Sequence, residues 1–297
     1  MARGGGDTLR FKLAAVLPAL SLFSVIYIVS IGFMLATSLF KWDSLYIQGF
    51  IGIRNYARML TDRVESPIFF RAVLNNLSWT LIAAVVHIPL AVLTAIVLSR
   101  KCRGWKAYRV ILFLPHVISV TAFAVIYKQV FNPSFGLLKG LFGWLGVTSL
   151  QDLNWLFDPT WAWPSIIFTW VFHVGFFAVI VMADIVSIPQ ELYESAQIDG
   201  AGSIRRALSI TLPLIRNTVG TCVILDITGG LKYFEGLFLM TNGGPNYRTE
   251  TLALYLFQKL QLLQNSYANA IGVALLVLGL VVVLAANKAF RIGMTSY

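Results

Sequence analysis

Four residues in one apolar run form a face that could do chemistry. Asp226, Gly229, Gly230 and Tyr233 stand at i, i+3, i+4 and i+7, so a helix carries them on a single face. That face is polar at both ends and bare in the middle. Glycines admit a bulky ring close to the backbone, a carboxylate accepts hydrogen bonds from hydroxyls, and an aromatic ring stacks on an apolar ring face. A polyhydroxylated ring such as a sugar suits that surface. The same pattern also suits helix packing, where a Gly pair is common in membranes and Asp226 would pair with another chain. Phe172, His173 and Phe176 share one face of the preceding apolar run and could form the opposite wall. A lone histidine at such a position is otherwise a packed, hydrogen-bonded residue.

The remaining polar residues argue against an enzyme. His87, His116 and His173 are scattered, no H-E-x-x-H is present, and no acid, base or metal constellation converges, so neither catalytic nor metal-ligating residues are expected. Cys102 and Cys222 show neither metal-ligand spacing nor a disulfide framework and read as free thiols. The chain lacks G-x-x-x-x-G-K-[ST] and so has no usual cradle for ATP phosphates. Lys232 and Glu235, three apart, can neutralise each other. Asp184 fits a coupling role or a packing pair. His87 with Pro89, and Asn75 with Asn76, fit either a lined pathway or hydrogen bonds to neighbouring helices.

These residues sit in an oily chain. Hydrophobic residues make up 58% and charged ones 12% of its 297 residues, and the mean hydropathy is +0.76, which places it in a bilayer. Six runs approach or exceed the roughly 20 apolar residues a spanning helix needs: 13–40, 73–98, 108–131, 161–188, 217–240 and 268–290. The first run is too long for a signal-peptide core and lacks a small-residue cleavage site, so it reads as a span. An all-α polytopic fold of six transmembrane helices follows. Its parts are an N-terminal segment with the first span (1–40), an extracytoplasmic segment (41–72) and a five-helix core (73–297) holding the polar loop 189–213.

The formal charge of +10 is dispersed over the loops between spans, so it argues for topology and against nucleic acid. With the N-terminus inside, thirteen basic residues fall in cytoplasmic segments against nine outside. Most of the asymmetry lies in SRKCRGWKAYR, which has five basic residues and no acid. Both termini are therefore expected in the cytoplasm, with the lipid bilayer as the chain's immediate partner. The outer segments 41–71 and 132–159 are too short for separate domains and read as a cap of short helices and turns.

The stretch ELYESAQIDGAGSIRRALSITLPL, residues 191–214, is polar-studded between two oily runs. Good helix formers run to Asp199, with Leu192 and Ala196 on one face, and Gly200, Ala201 and Gly202 permit a sharp turn. Ile204, Ala207, Leu208 and Leu212 then space a second short helix, which Pro213 ends before the fifth span. The two helices form a compact knob. An interfacial pair lying on the headgroups has the same pattern.

Glu194, Ala196, Asp199, Gly200, Ala201, Ile210, Leu212 and Pro213 match in order and spacing the E-A-A-x-x-D-G-A…I-x-L-P motif. By these residues the chain resembles the permease subunits of bacterial ATP-binding-cassette importers. Ser195 replaces the middle alanine, and Ala207 and Leu208 stand where an aromatic residue is common. FLMTNGGPNYRTETLALYLF is similar to the T-x-G-G-P-x-x-x-T stretch of the sugar-permease branch, on the side of the maltose transporter's larger permease subunit. An ordinary exit turn accounts for Gly243, Gly244 and Pro245. It leaves Thr241 and Thr249 unexplained.

The resemblance implies a type I importer fold in a bacterial inner membrane. It implies that Glu194, Ala196, Asp199, Gly200, Ala201, Leu212 and Pro213 dock on a cytoplasmic ATPase, and that Asp226, Gly229, Gly230 and Tyr233 lie where the family contacts sugar. Two ATPase subunits that bind ATP and Mg, a second homologous permease and an extracytoplasmic sugar-binding protein are the implied partners. Three other readings compete. An ion-coupled secondary transporter would use Asp226 for coupling but would leave the knob without a purpose. A membrane enzyme lacks its constellation. An importer of polyamine, phosphate or glycerol phosphate would keep the knob motif.

Overall fold

The computed structural model describes residues 15–43, 46–101 and 103–290. Cys102 and the basic residues Arg3, Arg10, Lys12 and Arg291 lie outside them. Among the described residues, one compact unit consists of residues 15–62 with Leu256–Ala274, and a second of Arg63–Tyr255 with residues 275–290.

In the first unit, α1 (Ala15–Thr37) is an apolar helix whose hydrophobic window has none of its residues buried, as a lipid-facing span requires. Thr37 at its end is buried and accepts from the Asn269 side-chain amide at 2.8 Å. The expected outer cap of helices and turns opens with an antiparallel hairpin, β1 (Phe40–Asp43) and β2 (Tyr46–Phe50). Phe40 and Phe50 face each other across it, edge to face at 5.4 Å between centroids. Helix α2 (Arg54–Thr61) follows, pinned by Asn55, whose buried side-chain amide donates to the Ser38 carbonyl at 2.8 Å.

The second unit is helical. Helix α3 (Glu65–Ser99) begins before Val73 and has one π-helical turn at Ala83–His87. The third expected span is two helices, α4 (Trp105–Val117) and α5 (Val120–Val130), bent by 101° at a short break. Short helices α6 (Leu137–Trp144) and α7 (Thr148–Gln151) fill the next segment, and α8 (Ala162–Ser187) has a turn at Phe172–His173. The knob is α9 (Gln190–Ile198) and α10 (Ser203–Leu214), and α10 meets α11 (Arg216–Lys232) at a 70° bend. The expected fifth span stops at Lys232, and Glu235–Met240 forms a separate helix, α12. No ion pair joins Lys232 to Glu235 among the described residues. Helices α13 (Leu252–Gln261) and α14 (Asn265–Phe290) complete the order. Among the described residues, four helices alone are long and apolar enough to cross a membrane, and the number reaches six when each bent pair is taken as one span.

Residues of α3, α8 and α11 bury one apolar cluster around Ala91, Ala95, Ala178, Val181, Cys222 and Val223. Small side chains let these helices approach closely, which is how apolar helices associate where lipid removes the hydrophobic drive. Gly175 is the extreme case. A Cβ there would lie 1.8 Å from the Leu112 carbonyl oxygen, so the α8 backbone rests directly on that of α4.

Candidate functional site

Irregular backbone surrounds a cavity of about 390 Å³ in the second unit. His87 is the last residue of the π-turn in α3, His116 lies in the last turn of α4 before its break, and His173 lies in the turn that interrupts α8. All three line the cavity, together with Asp226, Gly229, Gly230 and Tyr233 from the end of α11. Straight helices would have left these groups facing neighbouring helices. Broken ones release polar side chains and backbone into a cavity, where a membrane protein tolerates them.

Asp226 is buried and sits 2.8 Å from Nδ1 of His87, which is fully buried. A carboxylate accepts only, so the His87 Nδ1–H donates to it. The Asp226 partner that the sequence reading sought in another chain is therefore supplied by α3. The pair gives each of two polar groups inside the bilayer one hydrogen-bond partner. His87 Nε2, His173 Nδ1 and the Trp79 indole nitrogen have no hydrogen-bond partner among the described residues.

The two glycines of α11 do different things. A Cβ on Gly230 would lie 2.3 Å from the Trp79 indole nitrogen, so that glycine exists to seat an indole. Gly229 meets nothing within 4 Å and leaves the cavity wall bare. Trp79 also packs on Trp170 at 4.8 Å and on Tyr233 at 5.5 Å between centroids, which builds an aromatic wall beside the glycines. On the facing side, Phe176 stacks on the His116 imidazole at 4.2 Å and 18° between planes. Phe172 is not part of the lining. It is exposed and packs edge-on against Phe168, because the turn at Phe172–His173 rotates it away from His173 and Phe176.

The knob has the opposite character. Gly200 adopts φ +76° and closes α9 with hydrogen bonds from the Ala201 amide to the Ala196 carbonyl at 2.8 Å and from the Gly200 amide to Gln197 at 3.1 Å. This left-handed helix end is the one a glycine makes without strain. Tyr193 on α9 and Thr211 on α10 share a hydroxyl hydrogen bond of 2.9 Å, and Arg206 donates to the Gln197 side chain at 3.3 Å. Two short helices are thereby fixed as one body. Glu194 and Asp199 are exposed, Ala196 and Ala201 half-buried. Leu212 packs against the apolar cluster, while Pro213 lies inside the last turn of α10, which runs on to Leu214. Ile198 is 88% and Ile204 76% exposed, an apolar tip facing away from the bundle.

The threonines of the outer turn form a clasp. Thr241 and Thr249 hydroxyls meet at 2.7 Å, and Thr249 also donates to the Gly244 carbonyl at 2.8 Å. Asn75 on α3 donates to the carbonyls of Arg248 and Glu250 at 2.9 and 2.7 Å, and Asn76 accepts from the Leu252 amide at 2.9 Å. Asn75 and Asn76 thus hold a loop and do not line the cavity. His116 and Trp170 do line it, and sequence reasoning did not place them there; His87, for which a lined pathway and a helix hydrogen bond were both open, does both. A signal existed in the prolines. Pro89 denies α3 the amide that would bond to the Val85 carbonyl, inside the π-turn, and Pro115 precedes the break after α4.

Known proteins similar to this chain in fold and sequence are transporter subunits. The diacetylchitobiose uptake system permease protein NgcF of Streptomyces coelicolor is 33% identical over 93% of this chain and 80% of its own length. The multiple sugar-binding transport system permease protein MsmF of Streptococcus mutans is 33% identical over 82% of this chain and 83% of its own. A chain of the bacterial alginate ABC transporter, solved in complex with alginate pentasaccharide-bound periplasmic protein, superposes with a TM-score of 0.81 at 27% identity, covering 98% of both chains. The family model described as binding-protein-dependent transport system inner membrane component matches residues 68–291, and the chain belongs to that family.

Proposed function

We propose that this chain is the permease subunit of an ATP-driven, binding-protein-dependent carbohydrate importer, and that it works by alternating access without covalent chemistry. One observation carries the choice of solute. The cavity lining holds a single carboxylate, Asp226, already paired with His87, and neither Lys nor Arg. A polyamine would find no free anion there, and a phosphate no cation. A neutral polyhydroxylated ring finds aromatic faces at Tyr233, Phe176 and Trp170 and a bare wall at Gly229. The names of the relatives, which include uptake systems for diacetylchitobiose and multiple sugars, support the same class.

In this reading an extracytoplasmic sugar-binding protein delivers the ligand, as the periplasmic protein bound to the alginate transporter suggests. A second homologous permease lines the other half of the pathway. Two cytoplasmic ATPase subunits bind ATP and Mg, and each closure moves a knob whose apolar tip, Ile198 and Ile204, fills their docking cleft. A body rigidified by the Tyr193–Thr211 and Arg206–Gln197 bonds transmits such a displacement, where a loop would absorb it. Both termini lie in the cytoplasm of the bacterial cell in this arrangement.

The test is copurification of the intact complex from its native membrane. Wild type and Gly200→Asp are compared for bound ATPase, and hydrolysis is measured while sugars, polyamines and phosphate are screened with the binding protein. The expected result is an ATPase retained by wild type and lost from the variant, with stimulation by a sugar alone. An ATPase held equally by both, or stimulation by a polyamine or phosphate, refutes the proposal.

A further inference from the structure

A second cavity, about 440 Å³ in volume, opens between the knob and the ends of α3 and α8. Its lining brings Arg100 and Lys101 of the basic loop together with Arg206 of α10. Ser99, Tyr193 and Thr211 add hydroxyls, and no Asp or Glu lines the space. Among the described residues none of the three cations forms an ion pair, and the only side-chain bond of Arg206 is the one to the neutral Gln197. Arg103 follows in the same loop, and Lys106 and Arg109 lie in the first two turns of α4, outside the cavity lining. Three like charges at one mouth repel one another, and an anion entering between them relieves that cost. The depth is set by the spans themselves, since α3 ends at Ser99 and α8 at Ser187, where the hydrocarbon gives way to headgroups.

We infer that this cavity binds a phosphate group, held by Arg100, Lys101 and Arg206 between the knob and the spans. A basic pocket between helix ends is the arrangement that takes the headgroup of an anionic phospholipid, and a soluble phosphate offers the same chemistry. Because the pocket is walled by Tyr193 and Arg206 of the knob, its occupant stiffens the joint between knob and spans. The inference does not depend on which solute the transporter carries.

The transporter complex, in phosphatidylcholine nanodiscs, is titrated with phosphatidylglycerol in one arm and with inorganic phosphate in the other. Native mass spectrometry reads bound lipid, and thermal shift reads bound phosphate. Saturable binding in either arm is expected. Arg100→Gln/Lys101→Gln/Arg206→Gln should weaken it roughly tenfold or more, and the charge-matched Arg103→Gln/Lys106→Gln/Arg109→Gln control by no more than about twofold. Saturation in the lipid arm identifies a headgroup as the natural occupant, and saturation with phosphate alone identifies a soluble anion. Should the first triple fail to assemble, the single exposed-loop change Lys101→Gln is read in its place, with an expected loss of about threefold. Absence of binding in both arms, or equal loss in pocket and control variants, overturns the inference.

Discussion

The cavity and the knob solve opposite problems with similar parts. Around the cavity, polar atoms are buried and several are left without partners, as at His87 Nε2 and His173 Nδ1. On the knob, the polar groups are exposed or bonded, and the groups left over are apolar, Ile198 and Ile204. An unpartnered buried nitrogen costs stability, and an uncovered isoleucine invites an apolar socket. The glycines differ in the same way. Gly230 is fixed by a neighbour, Gly200 by its own backbone angle, and Gly229 by neither.

The largest expected effect breaks the knob without touching the cavity. Ile198→Asp/Ile204→Asp should lower stimulated ATP hydrolysis on the order of a hundredfold, because a charge pressed uncompensated into an apolar socket costs about 3 kcal/mol or more. Its unfolding temperature should stay that of wild type, since both side chains are exposed. Next comes the buried pair. Asp226→Ala should destabilise the protein by about 3 kcal/mol in thermal unfolding, and adding His87→Ala should cost far less than it does alone. Additive losses would mean that the two residues do not act together. Gly230→Ala should cost about 1–3 kcal/mol by overpacking against Trp79. The neighbouring Gly229→Ala should leave stability within about 0.5 kcal/mol and show itself only as weaker sugar binding in a calorimetric titration. Gly200→Ala is expected to cost about 1 kcal/mol through its φ of +76° alone, with ATPase capture retained.

Those magnitudes also mark what could be read from the chain. The knob was legible because its information is local: a turn glycine and two short amphipathic runs lie within one contiguous stretch, and the structure places α9, the left-handed turn and α10 there, with Pro213 inside the last turn instead of ending it. The α11 face was legible for the same reason, since a period of 3.6 aligns Asp226, Gly229, Gly230 and Tyr233 whatever surrounds them. What faces them was not. His87 and His116 reach the cavity only because α3 carries a π-turn and α4 breaks. A search for apolar length assumes straight helices and loses both events. The same assumption joined 108–131 into one rod and extended the fifth span beyond Lys232. It also put Phe172 on the face of His173, because the helical period holds only until the turn at that point. Gly229 and Gly230 could not be told apart in sequence, since the indole that distinguishes them comes from Trp79 on another helix.

The clasp at the outer turn has a consequence for anyone who exchanges parts between relatives. The loop carrying Thr241 and Thr249 is held from a distance in sequence by Asn75 and Asn76, whose side chains bond the main chain at Arg248, Glu250 and Leu252. Because those bonds recognise backbone, the loop's side chains at 248, 250 and 252 can be replaced freely so far as the asparagines are concerned, while its path cannot. A chimaera that imports a loop of another length therefore inherits a broken seam at α3, and a successful graft has to treat residues 75–76 and 241–252 as one cassette.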